Sequence, residues 1–283
     1  IKKVIIEEGV TYIGKNAFAR VSEIRSITIP QSVTSIGSFA FKGCYELPEI
    51  SIPATVTEMG YAPFSGCSKL KSITVDKENK SFVNDEAGAL FSSDMTRLIN
   101  FPAGNELKAY TISESVEEID PSAFLSCYNL ESVVVPDGIK SIEADTFNGC
   151  FSLKDINIPE SVTAIKTYAF CDCDDVKEFK LHEGITEIGD YAFSWCENLR
   201  RVVIPDSVTA IGRNAFESCV NLRSVTIGDG VKEIGMYAFN SCEKLKELKL
   251  GENIEVIGDN AFSGRYIKEL VFPESLRVIG DSA

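Results

Sequence analysis

The chain has 283 residues, with 28 Lys and Arg against 42 Asp and Glu, a net charge of −14 and 44% hydrophobic residues. The acidic excess argues against nucleic acid, which selects a basic face, and against anionic membrane surfaces. No apolar run of ~18 residues occurs, so no helical membrane span is expected.

From the N-terminus onward the chain is periodic. Phe recurs at Phe18, Phe41, Phe64, Phe124, Phe147, Phe170, Phe193, Phe216, Phe239 and Phe262, nearly always after Ala, and every step is 23 residues except the 60 between Phe64 and Phe124. A fixed period of this size marks a solenoid, whose units cannot bury their apolar faces alone. In the second copy the apolar columns read Val33, Ile36, Ala40, Phe41, Cys44, Leu47, Ile50 and Ile52; around Phe216 they read Val208, Ile211, Ala215, Phe216, Cys219, Leu222, Val225 and Ile227. The Leu222-x-x-Val225-x-Ile227 segment ends in β-branched alternation and predicts a short strand, and Ser207–Ile211 predicts a shorter one. The Gly212–Cys219 stretch has apolar spacing of three and four, which suits one helical or 3₁₀ turn. Stacked strands would form a parallel sheet.

Next comes the irregular unit, residues 76–110. The apolar runs Gly88–Phe91 and Leu98–Phe101 flank the polar Ser92-Ser93-Asp94, which predicts a β-hairpin. The unit reads either as a variant repeat that continues the stack or as a dedicated binding knuckle. Leu90, Phe91, Ser92, Ser93 and Asp94 are therefore candidate partner contacts.

The regular copies then resume. Eight of nine cysteines lie three residues after the repeating Phe, from Cys44 to Cys242, with Val21 and Arg265 taking the column's ends. The repeat explains this spacing, so buried free thiols are expected in place of disulfides or metal ligands. Cys171 is out of column and reads as a surface-facing loop thiol. The one histidine, His182, occupies a turn column otherwise filled by prolines such as Pro159 and Pro205, so no Ser-His or Cys-His catalytic pair is supported. Asp120, Glu143 and Lys166 interrupt a Gly column of Gly14, Gly37, Gly60, Gly189, Gly212, Gly235 and Gly258, so the position is expected to tolerate a side chain. The Asp172, Asp174, Asp175 cluster lacks the pattern of a calcium loop. Two residues before the repeating Phe stand Phe39, Tyr168, Tyr191 and Tyr237; Tyr168, Tyr191 and Tyr237 are further candidate partner contacts, the alternative being ring packing along the stack.

The repeat Ile-Pro-x-Ser-Val-Thr-x-Ile-Gly-x-x-Ala-Phe-x-x-Cys-x-x-Leu-x-x-Val resembles the BspA-type leucine-rich repeat of bacterial surface antigens, over nearly the whole chain. The resemblance implies a leucine-rich-repeat solenoid of the α/β class spanning residues 1–283. It implies a secreted or cell-surface protein that binds protein or glycan partners, host extracellular matrix among them. It implies no catalytic residue, cofactor or metal. The alternative is a stalk or spacer that displays another domain. Both ends cut through a repeat, so the chain is expected to be a fragment with its targeting signals elsewhere. No oligomeric state is predicted.

Overall fold

The computed structural model describes residues 1–263, 267 and 270–283; Arg265, at the end of the cysteine column, lies outside them. The chain is a solenoid in which each turn contributes up to two short strands. One row runs through Lys3–Ile5, Ser26–Thr28, Glu49–Ile52 and Ser72–Val75, resumes at Ala109–Thr111, Ser132–Val134 and Asp155–Ile156, and resumes again at Arg201–Ile204, Ser224–Ile227 and Glu247–Lys249. The other row includes Tyr12–Ile13, Ser35–Ile36 and Glu58–Met59, then a seven-stranded run from Ser141–Ile142 to Val278–Ile279. Pairing within both rows is parallel and mostly one repeat apart, as in Ser26 against Lys3 and Val225 against Val202. The period thus becomes a register: a residue 23 positions on lies directly beside its counterpart.

The core is a column of phenylalanines. Phe193, Phe216 and Phe239 stack with centroids 5.0 and 5.1 Å apart and planes within 9°. All ten predicted members take part, but the stack has an eleventh. Phe101 lies 5.2 Å from Phe124 and is fully buried. It sits 23 residues before Phe124, a step that the sequence displays.

No helix occurs among the described residues, which corrects the expected helical turns. The reason lies in where the amides go. An α-helix sends each N–H to a carbonyl four residues back within the same segment. Here Ala215, Glu217 and Cys219 donate three residues back within their own level, while Asn214, Phe216 and Ser218 donate to the next level, at Met236, Ala238 and Asn240. Alternation of this kind requires left-handed residues, and Asn214 and Ser218 have φ of 55° and 58°. The apolar spacing of three and four follows from the successive turns.

The glycine column has the ordinary backbone angle that its three substitutions imply, but less room than they suggest. These glycines do not have left-handed φ, so backbone angle is not the constraint. A Cβ on Gly37, Gly60, Gly212 or Gly235 would lie within 2.2–2.7 Å of atoms of the level before it. Close approach of neighbouring levels therefore leaves no room for a side chain at those four levels. Asp120, Glu143 and Lys166 are tolerated as a consecutive run, beginning where the regular stack restarts after the irregular unit.

The cysteines are all free and all buried. Their column has a bonding role: the thiols of Cys44, Cys67, Cys150, Cys173, Cys196, Cys219 and Cys242 each donate to the carbonyl of the repeating Phe one level earlier, at 3.2–3.3 Å. A small apolar residue that still carries a weak donor suits this slot. Burial pushes the thiols of Cys67, Cys127, Cys173, Cys196 and Cys219 well above their ordinary value and that of Cys242 up to about 12. Cys171 is buried as well, at 6% exposure, and burial, followed by the charge of Asp172, pushes its thiol up to about 12. The surface assignment is thus overturned. Cys171 directly follows the core residue Phe170, in the same row as the buried Ser65 and Ser194, where the turn is covered by neighbouring levels.

Candidate functional site

The irregular unit is a three-stranded antiparallel meander, Phe82–Asn84, Leu90–Ser92 and Arg97–Asn100. It continues the stack. Ile73 donates to the Gly88 carbonyl at 3.0 Å, and Arg97–Asn100 pairs in parallel with Glu118–Ile119. The strand period of two then sorts its side chains. Leu90 and Ile99 join the core of the N-terminal levels, while Phe91 and Leu98 join that of the C-terminal levels. A strand packed on both faces shows a continuous apolar run. Leu90 and Phe91 are consequently buried and offer no contact to a partner, which corrects their inclusion among the exposed candidates.

The exposed part of the hairpin is its tip. Ser93 and Asp94 are exposed and Ser92 is half-buried. One Asp94 oxygen accepts from Ser92 Oγ at 2.6 Å, Thr96 Oγ1 at 2.9 Å and the Thr96 amide at 3.1 Å. These bonds, that of Ser92 first, hold the Asp94 carboxyl below its ordinary range. Met95 takes the left-handed position of the turn, with φ of 61°, and its carbonyl accepts from Ser115 Oγ. The tip is thereby fixed before any partner arrives, which lowers the ordering cost of binding.

Beside the tip lies an ion pair that sequence reading did not identify. Arg97 Nε and Nη2 donate to the two oxygens of Asp120 at 2.7 and 2.8 Å. Asp120 is fully buried, and the guanidinium covers the exposed ring of Tyr61 at 5.2 Å. A cavity of about 270 Å³ adjoins them, lined by Tyr61, Glu117, Glu118, Pro121, Lys140 and Glu143 among others. The one legible signal was that Asp120 departs from the glycine column.

Burial pushes the Asp120 carboxyl up to about 6, against the opposing pull of Arg97. A raised carboxylate contributes stability that is fully present below its unfolded value near 3.8 and is lost as pH rises through about 6. Wild-type protein should therefore lose stability relative to Asp120→Asn between about pH 4.5 and 7.5, by up to ~2 kcal/mol. Urea midpoints of both proteins at the two pH values test this, and parallel midpoints would contradict it.

The tyrosines form a separate feature. Tyr168 and Tyr191 are half-buried and stack at 4.6 Å and 13°, so ring packing accounts for much of their surface. Tyr237 stands two levels farther on, beyond Asn214. Tyr168, Tyr191 and Tyr237 have φ of 57–59°, and Phe39 in the same row has 57°. They do not approach the hairpin tip, since the levels of Ser122 and Asp145 intervene. His182 is used locally: its Nδ1 accepts from the Gly184 amide at 3.0 Å, leaving Nε2–H to donate to the Pro159 carbonyl at 3.0 Å.

Comparison with known proteins agrees with this architecture. The family model described as BspA type Leucine rich repeat region (6 copies) matches residues 1–104, 91–177 and 163–283. No curated protein matches the chain. A leucine rich cell surface protein from Faecalibacterium prausnitzii is 35% identical with a TM-score of 0.74, over 83% of this chain and 60% of that one. The pneumococcal vaccine antigen PcpA shares the fold at 20% identity and a TM-score of 0.64, over 98% of this chain and 62% of that one. A leucine-rich repeat protein from Bacteroides ovatus is 30% identical, with a TM-score of 0.54, over 99% of this chain and 83% of that one. The chain thus spans about three fifths of the length of the first two.

Proposed function

We infer that this chain, which belongs to the BspA-type leucine-rich repeat family, is a non-enzymatic binding module of the bacterial cell surface or its surroundings that engages a protein or glycan partner at the irregular unit. One observation carries the location. The single break in the period presents a tip fixed by its own hydrogen bonds, beside exposed Tyr61, Arg97 and a cavity. Tyr and Arg are the residue types that most often anchor interfaces. Elsewhere outward strand residues such as Thr28, Ser51 and Lys249 are short or charged and provide few anchors. The cell-surface description of the Faecalibacterium relative supports the location of the protein.

The test is a binding screen of the chain against immobilised extracellular-matrix proteins and glycans, repeated with Ser93→Arg combined with Tyr61→Ala. Both side chains are substantially exposed, so the array should still fold, as far-UV circular dichroism would report. Affinity for the captured ligand should fall about tenfold or more. Unchanged affinity would reduce the meander to a continuation of the stack. An empty screen would favour a spacer.

A further inference from the structure

A second surface lies on the turn side of the stack and runs from the level next to the hairpin toward the C-terminus. The position after the column cysteine carries Tyr128, Phe151, Asp174 and Glu197 at four successive levels. Tyr128 and Phe151 stack in the open, with centroids 5.2 Å apart and planes within 4°. Phe151 is 43% exposed. Trp195, the chain's one tryptophan, stands two residues before Glu197 and is 49% exposed. It occupies a row that Gly43, Gly66 and Gly149 fill at other levels, with φ of 61°. Asp172 precedes it by one level in that row.

This region combines two features that are each unfavourable in an isolated protein. Large aromatic surface faces water without a partner. Asp174 and Glu197 occupy one row at adjacent levels, Asp172 stands two residues before Asp174, and none of the three has an ion pair among the described residues. Asp172 and Asp174 are half-buried. Burial, followed by the charges of Glu197, Asp172 and Asp175, pushes the Asp174 carboxyl up to about 6. A cation placed among these groups would relieve their repulsion and regain the Coulomb attraction lost to partial desolvation. The flanking rings would accept the apolar stem or flat face of the same side chain.

We propose that the ridge formed by Tyr128, Phe151, Asp172, Asp174, Trp195 and Glu197 is a docking surface for an arginine-rich segment of a partner protein. Charge complementarity selects the cation. Arginine fits better than lysine because its guanidinium is planar, stacks on aromatic faces and pairs bidentately with a carboxylate. The inference rests on the chain being a binding module, but not on the hairpin as its contact.

Trp195 makes the site its own reporter. An acetylated, amidated Gly-Arg-Gly-Arg-Gly-Arg peptide should change the tryptophan emission and saturate, while the Gly-Lys counterpart binds more weakly and the Gly-Glu counterpart leaves emission unchanged. Asp174→Asn with Glu197→Gln should weaken arginine-peptide binding about tenfold or more. Phe151→Ser, tested separately, should weaken it several-fold. Ser93→Arg with Tyr61→Ala should leave it unaltered, so failure of the hairpin contact and failure of this ridge are distinguishable. Three results would overturn the proposal: no emission change with the arginine peptide; binding that the carboxylate variant leaves intact, which would reflect only the net charge of −14; or a response to a neutral cello-oligosaccharide in place of the peptide, which would assign the ridge to a glycan.

Discussion

Phe216→Ala should destabilise the array by ~3–5 kcal/mol, whereas Tyr191→Ala should cost about 1 kcal/mol. Phe216 is completely buried, with rings on both sides at 5.0 and 5.1 Å. Truncation removes two stacking partners and leaves a cavity that flanking levels cannot fill, because their spacing is set by parallel strands and by glycines already in close approach. Tyr191 stacks only on Tyr168 and is half-buried. Its removal exposes little core, and its left-handed φ of 57° already disfavours a bulky residue. Urea midpoints of the two variants decide the matter. Equal losses would mean that the inner and outer rows had been exchanged.

Asn100→Ala should have a comparable cost and a different signature. Asn100 is fully buried at the junction between the two core clusters. Its Oδ1 accepts from the Phe64 amide at 2.9 Å, and its Nδ2 donates to the Phe101 carbonyl at 2.9 Å. In regular levels the corresponding amide donates to the next level's backbone, as Phe41 does to Pro63, and the Phe carbonyl accepts from a column cysteine, as Phe41 does from Cys67. One side chain thus replaces two repeat bonds where the meander interrupts the period. Alanine would orphan a buried donor and a buried acceptor, each costing ~1–3 kcal/mol. Solenoid stability is a sum of level and interface terms, so weakening one interface should uncouple its two sides. Calorimetry should show one transition for wild type and two for Asn100→Ala, with hydrogen exchange accelerating on one side of residue 100 before the other. A single shifted transition would show that the remaining meander contacts suffice to couple the halves.

Much of the architecture was legible in the residues because a repeat records its columns directly. The 23-residue step placed Phe216, Cys219, Leu222, Val225 and Ile227 in the core, and parallel register puts each beside its counterpart one level away. The stack position of Phe101 was readable by the same arithmetic, from its distance to Phe124, although the apolar runs around it suggested only a hairpin. The hairpin itself was legible from its polar tip. The burial of Leu90 and Phe91 on opposite faces was not, because a short apolar run does not say how many of its faces are covered.

What the tertiary structure alone decided concerns groups whose partners lie on another level. Whether Phe216 N–H bonds within its turn or to Ala238 depends on a neighbouring chain segment, and that choice replaces a helical turn with alternating left-handed residues. Whether a glycine can carry a side chain depends on how closely the preceding level approaches. Cys171 is buried by the levels around it, and Asp120 is held by Arg97, an arginine of the irregular unit one 23-residue step earlier. Periodicity determines which residues share a column; the distances and hydrogen bonds between columns are set only when the levels stack.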